Sequence, residues 1–146
     1  MSVLSDSPAA DLVLPAEPFH QFLGFRTVVE GGVTRYLMDF QDNHLGNPML
    51  RTFHGGILAS FGEVIAGMHL AKHLGEPRLR RCATMTFDYL RPAFAGTISA
   101  VPNIVRSGRR ISTVSVQIRL NDQLVCIGRF LYSVSDSITN GQGSAE

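Results

Sequence analysis

The sequence has few cysteines, little net charge and no long hydrophobic run. Its two cysteines, Cys82 and Cys126, both lie in predicted strands, so nothing suggests a disulfide framework and a reduced, cytoplasmic setting is expected. The formal net charge of +1 argues against a general nucleic-acid-binding surface. No apolar run approaches the roughly 20 residues that span a bilayer. Residues 1–8 lack the basic start and apolar core of a signal peptide. We therefore expect no membrane and no nucleic-acid partner.

The chain length of 146 residues predicts a single domain. Both ends of the chain are rich in small and polar residues and carry no strong periodic pattern. We therefore expect a flexible N-terminal segment over residues 1–18, one folded domain over residues 19–134 and a disordered tail over residues 135–146.

The strongest periodic pattern lies between His54 and Gly75. Its large apolar residues follow the spacing of one helix face, and they are Ile57, Leu58, Phe61, Val64, Ile65 and Met68. Lys72 and His73, followed by Gly75, form a typical helix end. The start is unusual because His54-Gly55-Gly56 replaces the usual Ser, Thr or Asp cap. The two glycines are expected to leave backbone N–H groups uncovered, so that a ligand can approach them.

Glu63 is the strongest chemical signal in this helix. Its neighbours one turn away are all small: Ala59, Ser60, Ala66 and Gly67. No basic residue stands three or four positions from it, so the helix supplies no salt-bridge partner. Two interpretations are open. Glu63 is either a reactive carboxylate that a substrate can reach, or an ordinary carboxylate that is solvated or paired elsewhere in the fold.

The remaining elements are predicted strands, apart from a short helical turn over residues 18–24. Residues 25–30 and 33–40 read as a hairpin around Gly31-Gly32, and a polar loop over residues 41–53 leads into the helix. Four more strands follow, over residues 81–90, 96–106, 113–120 and 124–134. Pro102 predicts a bulge or an edge in the second of these four. One long apolar helix and one antiparallel sheet satisfy each other if the sheet curls around the helix, which predicts an α+β fold.

Three segments together carry a family resemblance: His54–Glu63, Phe87–Gly96 and Gly108–Arg110. They resemble the hot-dog-fold acyl-CoA thioesterases of the phenylacetate-pathway and 4-hydroxybenzoyl-CoA thioesterase type. The similarity in element order runs from about Phe19 to Val134. It implies a hot-dog fold, in which a curled antiparallel sheet wraps around one long central helix, and it implies hydrolysis of acyl-CoA thioesters.

The resemblance also implies roles for individual residues. Glu63 corresponds to the acid that acts as general base or nucleophile at the thioester carbonyl, and Gly55 to the glycine whose N–H polarises the carbonyl oxygen. His54 and Asn47 correspond to the positioning residues. Asn47 stands one residue further from the histidine than the family's amide, because Pro48 occupies that place.

A second departure concerns the Ser or Thr that the family often has one turn after the acid. Gly67 occupies that position here, so the neighbouring strand would have to supply the group, with Thr84 or Cys82 as candidates.

The resemblance further suggests which residues bind coenzyme A. Arg109 and Arg110, beside Ser107-Gly108, are expected to meet its phosphates. Gly56, Thr84 and Arg91 complete the expected substrate- and CoA-binding set, whereas the other arginines, Arg78, Arg80, Arg81 and Arg106, are expected to be solvated strand ends.

We expect no cofactor, since coenzyme A is part of the substrate, and no metal. Among the histidines considered as ligands, His44, His54, His69 and His73, only His69 and His73 share a helix face, and that pair lacks a third ligand.

The spacing of the helix residues predicts an oligomer. His54 and Glu63 are nine residues apart, about 13 Å along a helix at ~1.5 Å per residue. A carbonyl must lie within ~3 Å of both the oxyanion donor and the attacking group. One helix therefore cannot present both groups to one carbon, whereas two antiparallel copies can. The family resemblance implies the same dimer, often paired further into a tetramer.

Two other functions remain open at this point. Hot-dog hydratases and dehydratases also act on acyl thioesters, but this chain lacks their Asp-x-Asn-Pro-x-His and His-Phe-Pro-Gly sequences. A non-enzymatic acyl-CoA-binding protein would normally need a further domain, for which one fold of 146 residues leaves no room.

Overall fold

The computed structural model describes residues 17–133, which form two α-helices and six strands. The helices are α1 (Pro18–Leu23) and α2 (Gly55–Leu74), and the strands are β1 (Phe25–Glu30), β2 (Val33–Asp39), β3 (Arg81–Tyr89), β4 (Thr97–Ser107), β5 (Ile111–Leu120) and β6 (Gln123–Ser133). The expected helix, hairpin and four later strands are confirmed. The predicted tail and nearly all of the predicted N-terminal segment lie outside the described residues.

The six strands form one antiparallel sheet in the order β1-β2-β4-β5-β6-β3. The helix α2 packs against four of these strands: β3, β4, β5 and β6. The curled sheet with one long helix confirms the α+β hot-dog fold. It leaves β1 and β3 as the two edges.

The helix α2 is buried over more of its circumference than its large apolar residues predict. Leu58, Phe61, Ile65 and Leu70 fill the core. The face of small residues is covered as well, because Gly67 and Ala71 are also buried. The reason is that small residues let the sheet approach closely. The hydroxyl of Tyr132 on β6 donates a hydrogen bond of 2.7 Å to the backbone oxygen of Glu63.

Pro102 lies in a part of β4 that has a partner strand on one side only. Strand β4 pairs with β5 at this point, Pro102 opposite Val116, but its pairing with β2 ends at Ala100. The missing N–H of proline is therefore tolerated on the side that lacks a partner. The bulge comes later, between Ile104 and Arg106.

Strand β3 is an exposed edge. Within it only Cys82 and Phe87 are partly buried, and the other seven residues are exposed. The exposed residues include Met85 and Tyr89, with relative exposures of 39% and 54%. An unpaired edge with apolar side chains is a surface on which a second chain can add a strand. None of the helices described here is long and apolar enough to cross a membrane.

Candidate active site

Glu63 lies half-buried on α2 and lines a cavity of about 770 Å³. The walls of this cavity come from α1, the middle of α2, the loop after it, the start of β3, and Tyr132 of β6. Across residues 17–133, no hydrogen bond or ion pair engages the carboxylate of Glu63. Among the described residues nothing pairs with Glu63, so two interpretations of this acid remain: a carboxylate that a substrate can reach, or a solvated one.

Cys82 and Tyr132 share this cavity with Glu63. Burial raises the pKa of the Cys82 thiol, and the negative charge of Glu63 raises it further. Burial likewise raises the pKa of Tyr132, with the charges of Cys82 and Glu63 as additional causes. Both pKa values rise for the same two reasons: burial keeps water from the groups, and a nearby negative charge disfavours the formation of a second negative charge.

The reactivity of Cys82 should therefore report on the charge of Glu63. The thiolate is the reactive form, and Glu63→Gln removes a charge that disfavours it. We expect alkylation of Cys82 by iodoacetamide to extend to lower pH in Glu63→Gln, measured as the rate against pH by mass spectrometry. Cys126 should not interfere, since it is fully buried and its pKa is raised to about 11 by burial. An unchanged profile would show that the carboxylate does not face the thiol.

The start of α2 is capped by His54 itself. Its Nδ1 accepts a hydrogen bond of 2.9 Å from the N–H of Gly56. The backbone N–H of His54 donates to the oxygen of His44 at 2.7 Å. The expectation that both glycines leave their N–H groups uncovered is therefore wrong for Gly56. A neutral imidazole accepts a hydrogen bond as readily as the oxygen of a conventional cap.

Gly55 retains the open donor. None of the hydrogen bonds found among the described residues uses its N–H. Its backbone oxygen accepts a hydrogen bond of 2.7 Å from the hydroxyl of Tyr89. Tyr89 packs so closely that a Cβ on Gly55 would lie 3.3 Å from its ring. The N–H of Gly55 is therefore an unengaged donor on a backbone that Tyr89 holds in place, at the positive end of a 20-residue helix.

Gly55 and Glu63 line different cavities. Gly55 belongs to a smaller one of about 330 Å³, which it shares with Thr52, Tyr89 and Arg91 among others. Eight residues separate the two groups, about 12 Å along the helix. One chain thus presents the Glu63 carboxylate in one cavity and the unengaged Gly55 N–H in another.

Asn47 serves its own loop. Its Oδ1 accepts hydrogen bonds from the N–H groups of Met49 and Leu50, at 2.9 and 3.2 Å. It lines neither cavity. The buried polar residue of this loop is His44, which nothing in the sequence distinguishes from its polar neighbours. Its Nδ1 accepts from the N–H of Gln41, its ring stacks on Phe53, and burial lowers its pKa.

The residues expected to bind coenzyme A are divided by the fold. Arg91 lies in the cavity of Gly55, whereas Ser107, Gly108, Arg109, Arg110 and Thr84 line neither cavity. The N–H of Gly56 is not free for a ligand, because it donates to Nδ1 of His54.

Of the arginines near the start of β3, Arg78 and Arg81 are exposed, as expected of solvated strand ends, whereas Arg80 is partly buried. Arg78, Arg80 and Arg81 line the cavity of Glu63. Arg80 is held in place by a double hydrogen bond to Glu76, at 3.0 and 2.8 Å. The sequence did not reveal this placement because it depends on how the loop after α2 folds back.

A metal centre finds no support in the part of the chain that the structure covers. Within residues 17–133, no three His, Cys, Asp or Glu side chains come together in a way that would hold a metal ion.

The model of the thioesterase superfamily matches residues 50–127, more than half of the chain. A medium/long-chain acyl-CoA thioesterase, YigI of Salmonella typhimurium, is 29% identical over 121 residues, covering 73% of this chain and 78% of the relative. Among solved structures, a Bacillus halodurans protein with CoA has a TM-score of 0.75 at 18% identity, covering 84% of this chain and 81% of that one. The E. coli PaaI protein from the phenylacetic acid degradation operon has a TM-score of 0.68 at 20% identity, covering 82% and 86%.

Proposed function

This chain belongs to the thioesterase superfamily, and we propose that it hydrolyses acyl-CoA thioesters to the free acid and coenzyme A. The observation that carries the proposal is the pair of unengaged groups on α2, the Glu63 carboxylate and the Gly55 N–H. The activity named for the YigI relatives supports the same reaction. The CoA in the Bacillus halodurans structure supports the same ligand class.

Glu63 supplies the attacking group. As a general base it takes a proton from water, and the hydroxide oxygen adds to the thioester carbonyl. As a nucleophile its own oxygen adds instead, and water hydrolyses the resulting anhydride. In both cases the carbon–sulfur bond breaks and coenzyme A leaves as a thiolate, which then takes up a proton. The absence of an ion-pair partner for Glu63 in the described chain keeps its carboxylate available for either role.

Gly55 supplies the oxyanion donor, and it does so across a dimer. Its N–H, at the positive end of α2, stabilises the negative charge that develops on the carbonyl oxygen. Because Gly55 and Glu63 of one chain lie in separate cavities, the start of one helix must face the middle of its partner's helix. The exposed edge strand β3, with Met85 and Tyr89, provides a surface for that pairing. His54 stabilises the first turn of α2 by accepting a hydrogen bond from the N–H of Gly56. The N–H of Gly55 takes no part in this cap and stays unengaged among the described residues.

The proposal is tested by a free-thiol release assay over acetyl-, butyryl-, octanoyl-, palmitoyl- and phenylacetyl-CoA. We expect release of one thiol per free acid formed for at least one acyl class. Absence of release with every thioester would contradict hydrolysis. Hydration of an enoyl-CoA without thiol release would instead identify a hydratase.

A further inference from the structure

We propose that the cavity of Glu63 is the acyl-chain site and that Gly67 sets the length of chain it accepts. The proposal deepens the thioesterase function and rests on it. The cavity is defined as the space of about 770 Å³ that runs from Glu63 past Gly67 to the loop after α2. This volume falls within the ~300–1,000 Å³ of ordinary small-molecule sites.

The wall next to Glu63 is apolar or already hydrogen-bonded. It is formed by Val64, Gly67, Cys82 and Tyr132. The hydroxyl of Tyr132 donates to the oxygen of Glu63, and the thiol of Cys82 donates to the oxygen of Thr84 at 3.4 Å. These side chains therefore offer no unused hydrogen-bond donor to a ligand.

This wall suits the acyl chain of an acyl-CoA better than its coenzyme A part. The pantetheine arm of coenzyme A carries two amides, which lose free energy when they are buried without partners. An acyl chain carries no polar group beyond its carbonyl, so burial on this wall stabilises it. The cavity of Gly55 offers the polar groups that the coenzyme A side requires, with Thr52 and Arg91 beside the open N–H.

Further from Glu63 the cavity remains partly apolar before it reaches solvent. Phe19 of α1, Pro77 and Leu79 add apolar surface there, beside the polar side chains of Glu17, His20, Glu76 and Arg80. Arg78 and Arg81 are exposed, so their charged groups can stay in water while the chain passes beneath them. Gly67 stands between Glu63 and the loop after α2 along the helix, so an acyl chain that follows α2 away from the carbonyl passes it.

Gly67 is the wall position at which a substitution would most directly reduce the space in the cavity, because it has no side chain of its own. It lies one turn beyond Glu63, about 6 Å along the helix. A Cβ built on Gly67 would meet the ring of Tyr132 at 3.5 Å, an ordinary contact. A Cβ therefore fits here, and because Gly67 lines the cavity we expect atoms beyond the Cβ to reduce the space open to the acyl chain.

The test compares Gly67→Ala and Gly67→Leu with the wild type on acetyl-, octanoyl- and palmitoyl-CoA. We expect Gly67→Leu to lower kcat/KM for palmitoyl-CoA about tenfold or more relative to acetyl-CoA, since a filled apolar pocket discriminates by about 10–200-fold. Gly67→Ala should give a smaller shift in the same direction. His73→Leu is the matched control, because it adds the same side chain at an exposed position of α2 outside the cavity.

Three outcomes overturn the proposal. An unchanged ratio in a folded Gly67→Leu would show that the chain does not pass residue 67. An equal loss on all three thioesters would place the coenzyme A arm in this cavity. A larger loss on acetyl-CoA than on palmitoyl-CoA would do the same.

A binding measurement separates failure of this proposal from failure of the proposed function. Calorimetry with Glu63→Gln, alone and combined with Gly67→Leu, gives the affinity for palmitoyl-CoA and acetyl-CoA without turnover. A selective loss of palmitoyl-CoA affinity supports the acyl site even if the wild type hydrolyses nothing. Equal affinities in both variants contradict it.

Discussion

Glu63→Gln is expected to lower kcat for acyl-CoA hydrolysis by about 10²–10⁴-fold, the usual contribution of a general acid or base. The amide is nearly the same size as the carboxylate but neither takes a proton from water nor attacks a carbonyl. No described residue depends on the carboxylate for a hydrogen bond, so the fold should be unaffected. The measurement is steady-state thiol release, with the oligomeric state followed by light scattering.

The matched control is Glu76→Gln. Glu76 lines the same cavity but pairs with Arg80. The same chemical change there is expected to reduce kcat less than about tenfold, below the range for loss of a general base, because the carboxylate of Glu76 is already engaged by Arg80 and is not free to act on a thioester. Wild-type turnover in Glu63→Gln, or equal losses in both variants, would remove Glu63 from the mechanism.

Gly55→Pro is expected to lower kcat by about 10²–10³-fold, the usual cost of losing one oxyanion donor. Proline lacks the N–H, and it is favourable at the first position of a helix, which Gly55 occupies. His54, with φ −61° and ψ 136°, already has the extended conformation that a residue before proline prefers. The substitution therefore removes the donor while the helix can still form.

Gly55→Ala separates loss of the donor from loss of space. Both variants add a Cβ that would lie 3.3 Å from Tyr89, but alanine keeps the N–H. We expect alanine to retain most of the activity that proline removes, in the same thiol-release assay with circular dichroism as the check on folding. Equal losses would mean that crowding against Tyr89, and not the missing N–H, reduces the rate.

Elements with a strong local pattern could be predicted from the sequence. The helix from Gly55 to Leu74 combines apolar periodicity with a glycine end, and Gly75 has the φ of 66° that such an end requires. The Gly31-Gly32 hairpin has positive φ at both glycines. The isolation of Glu63 was visible as well, because the absence of a basic neighbour on the helix is a local property.

The features that escaped prediction depend on contacts distant in sequence. Tyr132 reaches Glu63 from β6, and Tyr89 reaches Gly55 from β3. The cap by His54 is local but unusual, since it uses an imidazole nitrogen. The placement of Arg78, Arg80 and Arg81 in the cavity follows from the path of the loop between α2 and β3, for which no periodic pattern exists.

The pairing of one chain's acid with another chain's donor is tested most directly by mixing two inactive variants. Differently tagged Glu63→Gln and Gly55→Pro chains are coexpressed, and the heterodimer is purified through both tags. If each site takes Glu63 from one chain and Gly55 from the other, one of the two sites is intact, and thiol release should recover to about half the wild-type rate per dimer. A heterodimer as inactive as its parent homodimers would contradict the shared site.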